Sequence, residues 1–189
     1  MNIIDIWVEN DWVVKTLLIA LGIVFIIVFE KVYQYYKAHR VLKKLETIKD
    51  MDELSNLPDG FAKETLVEIN KFNAKSETLF NSFVGVKLDM YEQYMMKYVT
   101  VVGVIAILAP MLGLIGTFIG VWHVFDGIVD ISLSDPSVIA RGIKEVIVDT
   151  MSGLIVAVVA MIFYKSFEYV SFKNVSKFEE KVYKLIREK

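Results

Sequence analysis

Three long apolar runs interrupt a chain that otherwise keeps a helical alternation of polar and apolar positions. The first, Val13 to Phe29, carries a single lysine near its start, and the second, Val99 to Val121, has no charge at all. The third, Val146 to Tyr164, holds one charge, Asp149, near its beginning. About 17 to 20 residues at roughly 1.5 Å each just cross a hydrocarbon core of roughly 30 Å. Each run therefore predicts a membrane-spanning helix, and Lys15 can snorkel to an interface where Trp7 and Trp12 sit among the headgroups. Between the first two runs the rhythm is amphipathic. Val32, Tyr35, Tyr36, His39, Leu42 and Leu45 extend the first span, "SNLPDGF" breaks it, and Leu66, Ile69, Phe72, Phe80, Phe83 and Leu88 mark long helices leading into the second. The tail, with Phe167, Val170, Val175, Phe178, Val182 and Leu185, has the same character.

Lysine and arginine near the ends of the spans set an orientation. Lys31, Lys37, Arg40, Lys43 and Lys44 follow the first span, seven more follow the third from Lys165 onward, and the segment 123–140 has none. The expected architecture is an all-α membrane protein with its N-terminus outside and its C-terminus inside. It comprises a periplasmic segment 1–12, spans at 13–29, 99–122 and 143–165, a cytoplasmic helical region 30–98, a periplasmic connection and helix start at 123–142, and a cytoplasmic C-terminal helix 166–189. The N-terminus "MNIIDIWVENDW" is acidic where a signal peptide is basic, so the first span is expected to be retained.

Composition agrees and narrows the chemistry. A 55% hydrophobic content in 189 residues is high for a soluble globule, and a net charge of −2 without basic blocks gives no reason to expect nucleic acid binding. The absence of cysteine removes disulfides, thiolate metal sites and cysteine nucleophiles. His39 and His123 are the only imidazoles, and no phosphate-cradling loop, metal-spaced histidine pair or nucleophile elbow is present. We expect no enzyme, no cofactor and no metal site.

The informative residues lie in the second and third spans. Gly113, Gly116 and Gly120, with Thr117 among them, fall on one flank of a helix, a surface smooth enough for another backbone to approach and one that must face protein. Pro110 removes a backbone donor in the same span. In the third span Thr150, Gly153 or Leu154, Ala157 and Met161 follow helical spacing, while Glu145, Asp149, Ser152 and Val156 form a strip about 100° away. Two readings stand for each polar residue. The threonines either bond back to a carbonyl one turn earlier or face a wet path. Glu145 is either an interfacial residue that favours the helix N-terminus or an acid at a mouth. Asp149 is held by a lysine such as Lys144 or a neighbouring helix, or faces a polar route, because an ionised carboxylate facing lipid costs a few kcal/mol or more.

The second span, "LAPMLGLIGTFIGVWHVF", followed by "IARGIKEVIVDTMSGLIVAVVAMIFYKSF", resembles the MotA/TolQ/ExbB proton-channel family, closest to its ExbB/TolQ branch. Ala109, Pro110, Gly113, Leu114, Gly116, Thr117, Gly120 and Phe125 match the first half of that pattern. Gly142, Ile143, Glu145, Thr150, Gly153, Leu154 and Ala157 match the second. The resemblance implies a bacterial inner-membrane subunit that assembles as a pentamer around single-span partners of the ExbD/TolR type, each with a membrane aspartate, and in this branch a TonB-like protein as a further partner. It implies a stator in which ion flow, of protons, moves the partner, with Thr117 and Thr150 lining the route and Glu145 at its outer entrance. Asp149 departs from the pattern, where the family has a small apolar residue, and puts proton-only selectivity in doubt. Val159 and Ala160 replace a usual proline, and Lys165 an asparagine. The alternatives are a sodium-driven or flagellar, MotA-like stator and a non-conducting membrane scaffold.

Overall fold

The computed structural model describes residues 12–48, 57–72, 76–130 and 136–187. They form five helices: α1 Trp12–Leu45, α2 Phe61–Lys71, α3 Glu77–Met96, α4 Val99–Asp130 and α5 Pro136–Arg187. No strand occurs among the described residues. Three helices, Trp12–Leu45, Val99–Phe125 and Gly142–Arg187, are long and apolar enough to cross a membrane. The all-helical class and the three spans read from the sequence are therefore present. The expected segment 1–12 lies, except for Trp12, outside the described residues. α5 starts on a proline, whose fixed φ and missing N–H suit a first helical position, and no glycine or proline after Gly153 breaks it. α4 continues through Pro110.

The chain forms two compact units, residues 1–28 with 100–164 and residues 29–99 with 165–189. In the first, larger side chains of α1 fill against small ones of α4 and α5. Val13 and Leu17 pack with Ala109, Val156 and Ala157, and Val24 and Ile27 pack with Val102, Ala106 and Ala160. Lipid tails are as apolar as these side chains, so close van der Waals contact rather than escape from water holds the segments together. The outward residues Ile26, Ile107, Phe118, Ile147, Val158 and Ile162 are large, apolar and exposed, as a lipid-facing or partner-facing surface requires.

The second unit has a conventional core. Tyr91 and Phe178 are buried with ring centroids 4.2 Å apart, and Phe61 stacks on Tyr94 at 4.7 Å. Burial pushes the Tyr91 hydroxyl above its ordinary range. Polar groups are gathered at the end of α3: Lys31 Nζ donates to the Met95 carbonyl at 2.9 Å and to Gln34 Oε1 at 2.6 Å. Ser171 Oγ donates to that same carbonyl at 3.3 Å and shares a 2.7 Å bond with the Tyr35 hydroxyl. These bonds serve a helix C-terminus whose last carbonyls have no partner in their own helix. The Ser76 hydroxyl caps the other end of α3, accepting from the Leu79 N–H at 3.3 Å. Not every amphipathic position is core: Tyr35, Leu42 and Leu45 are buried, whereas Val32 and Tyr36 are 58% and 62% exposed. Because Phe178 is fully enclosed, Phe178→Ala is expected to cost about 3–5 kcal/mol. A lowered melting temperature of the purified chain, with helix content retained, checks this.

Candidate functional site

The site is the seam where α4 meets α5, and glycine makes it possible. A Cβ placed on Gly113 would stand 2.9 Å from the Asp149 carbonyl oxygen and 3.2 Å from the Cα atoms of Gly153 and Thr150. One placed on Gly153 would stand 2.6 Å from the Ala109 carbonyl oxygen and 3.0 Å from the Gly113 Cα. Backbone thus lies on backbone, the close approach that small residues at three- and four-residue spacing permit. Gly120 continues the seam outward, its Cβ position 2.7 Å from Val146 Cγ2. The expected packing residues Gly113, Gly116, Gly153 and Ala157 are all buried and Gly120 is half-buried.

Gly116 does something different: the space its missing Cβ leaves is taken by the Asp149 carboxyl, whose Cγ would stand only 2.8 Å from that Cβ. Asp149 is 6% exposed. Its side chain therefore points into the α4 notch, on one buried stripe with Gly153, Val156, Ala157 and Ala160. The sequence reading had put it on a strip apart from that packing face. The carboxyl lies against the neighbouring helix, and Lys144 is exposed.

The two threonines flank this point on their own helices. Thr117, one residue past Gly116, is half-exposed, and its hydroxyl donates to the Leu114 carbonyl at 2.6 Å. That is the back-bonding foreseen for it, and it leaves the hydroxyl oxygen's lone pairs available. Thr150 follows Asp149, is half-buried, and lays its Cα against Gly113. Glu145 belongs to α5, but its side chain lies outside the described residues. No cluster of three or more histidine, cysteine, aspartate or glutamate residues occurs among the described residues. Sequence reasoning missed Gly103, which packs under the Tyr164 ring with its Cβ position 2.9 Å from Tyr164 Cε2. A glycine in an uncharged span was the available signal.

Chemically, the seam offers one carboxylate, a hard oxygen group able to hold a proton or a small cation at the depth of an apolar helix pair.

A helical membrane protein with three potential spans, whose two glycine-bearing helices enclose a carboxylate, is the class defined here. The chain belongs to the MotA/TolQ/ExbB proton channel family, whose model matches residues 53–180. It is similar to the biopolymer transport protein ExbB of Salmonella typhimurium, at 24% identity over 190 residues covering 88% of this chain and 78% of that one. It is also similar to a putative biopolymer transport protein ExbB homolog of Methanothermobacter thermautotrophicus, at 31% over 171 residues covering 82% and 60%. The biopolymer transport protein ExbB of Pseudomonas putida is 29% identical over 182 residues, covering 83% and 54%. These relatives place the chain with the ExbB branch of the family.

Proposed function

We propose that this chain is the ion-conducting stator subunit of an ExbB/TolQ-like energy-transducing complex in a bacterial inner membrane. Five copies surround single-span partners of the ExbD/TolR type, and proton flow past Thr117, Asp149 and Thr150 moves the partner. In this reading residues 30–98 and 166–189 are cytoplasmic, 1–12 and 123–142 are periplasmic, and Glu145 stands at the outer mouth. The observation that carries it is the buried Asp149 carboxyl in the Gly116 notch, with a threonine next in sequence to each of these two residues. A scaffold needs the glycines and has no use for an acid in an apolar seam, where it costs free energy. Hydroxyls and confined water relay protons without a permanent charge, and the second titrating carboxylate comes from the partner.

Liposomes containing the chain and its single-span partner test this. A proton gradient is expected to drive flux, and Thr150→Val, which keeps the shape and removes the hydroxyl, is expected to reduce it to the level of protein-free vesicles with the complex still assembled. Flux unaltered by Thr150→Val would remove that residue from the path. No flux under either a proton or a sodium gradient would leave the scaffold.

A further inference from the structure

The second unit contains a cavity of about 220 Å³ lined from α1, the start of α2 and the end of α3, with Lys37, Lys97, Glu30, Tyr33, Tyr94 and Tyr98 among its walls. Tyr33 in its wall is four residues beyond Phe29, where the apolar run of α1 ends. Its contents are those of a membrane interface: phenol rings and lysines, the residue types that settle at headgroup level. The volume is below the roughly 300–1,000 Å³ of pockets that enclose a drug-sized ligand whole. It suits a headgroup whose tails remain outside, along the exposed Phe29, Val32 and Tyr33.

The cations are placed rather than scattered. Lys37 lies across Gly60, its Cε 3.4 Å from where a Cβ would be, and Lys97 Nζ stands 4.8 Å from the Tyr98 ring centroid. Tyr98 holds a left-handed φ of 66°, a strained setting for an aromatic residue and one that turns its ring to this wall. Among the described residues Glu30 is the one acid lining the cavity, and Asp59, near Lys37, is bridged to Lys63 at 2.9 Å.

We infer that this cavity binds the phosphoryl headgroup of an anionic glycerophospholipid. Lys37 and Lys97 meet the phosphate, and Glu30 and the phenols accept from or donate to headgroup hydroxyls. The inference rests on the membrane reading of α1 and not on ion conduction, so a chain that binds lipid and passes no ions overturns the conduction proposal alone.

The test uses the full chain in phosphate-free detergent, titrated with dioleoyl phosphatidylglycerol, dioleoyl phosphatidylcholine or inorganic phosphate, with the melting temperature as readout. Phosphatidylglycerol is expected to stabilise at lower concentration than phosphatidylcholine. Each lysine near a lipid surface contributes about fivefold in affinity, so Lys37→Gln with Lys97→Gln is expected to weaken phosphatidylglycerol binding about 30-fold. Both lysines are exposed, and helix content checks that the variant folds. Lys173→Gln with Lys177→Gln, away from the cavity lining, is expected to leave binding unchanged. Equal response to the two lipids, or a double variant that binds like the parent, overturns the proposal. An equal response to inorganic phosphate at the same concentration assigns the site to a soluble anion and overturns the lipid as its occupant.

Discussion

Asp149→Asn is expected to bring ion flux in reconstituted liposomes down to that of protein-free vesicles, while the melting temperature stays the same or rises. Asparagine has nearly the shape of aspartate, so the Gly116 notch remains filled and the seam keeps its contacts. What disappears is the ability to release a proton or to place a negative charge beside a cation. An ionised carboxylate costs about 2.5–3.5 kcal/mol at the centre of a membrane helix on insertion scales and less toward its end, where Asp149 lies, so a residue kept only for packing still gains from losing its charge. Stability and transport therefore move in different directions if Asp149 serves conduction. Unchanged flux would reduce it to a filler of the notch. Measuring the parent under a proton gradient without sodium, and then under a sodium gradient at constant pH, tells which ion the carboxylate serves: flux in the second condition alone makes it a sodium site.

Gly113→Leu is expected to separate α4 from α5 and to abolish both a monodisperse species on size-exclusion chromatography and flux. The atoms that a side chain would meet are the Asp149 carbonyl oxygen at 2.9 Å and two Cα atoms at 3.2 Å, all backbone, which has no rotamer to change. The cost lies at or above the roughly 3 kcal/mol upper end of ordinary overpacking. Gly22 and Gly85 provide the contrast, since a Cβ on either meets nothing within 4 Å. Gly22→Ala and Gly85→Ala are expected to be neutral or to stabilise by up to about 1 kcal/mol through helix propensity. Gly116→Ala falls between, because the nearest atoms it meets belong to the Asp149 side chain, and Asp149→Ala in the same chain is expected to recover part of the loss. A Gly113→Leu protein that remains monodisperse and conducts would show that the seam is not needed.

The three spans and the glycine flank of α4 were legible because length, charge gaps and small residues survive any environment. The side to which Asp149 turns was not. In a membrane helix the lipid face and the protein face are both apolar, so periodicity separates them poorly, and adjacent residues such as Asp149 and Thr150 differ by only about 100°. The stripe Asp149, Gly153, Val156 and Ala160 becomes visible only once Gly116 shows where the partner helix has room. The same ambiguity leaves Val32 and Tyr36, which are exposed, in one helical pattern with the buried Tyr35, Leu42 and Leu45. The bonds linking Lys31, Ser171 and Tyr35 to the end of α3 join residues far apart in sequence, and no local pattern announces them.

Backbone lying on backbone between α4 and α5 also has a mechanical meaning. A contact without side chains has nothing to repack, because the backbone atoms that meet at Gly113 have no rotamer to change. The pair behaves as one thicker rod. In the proposed function, movement during a working cycle belongs to the outward surfaces, where Ile107, Phe118, Ile155 and Ile162 are exposed.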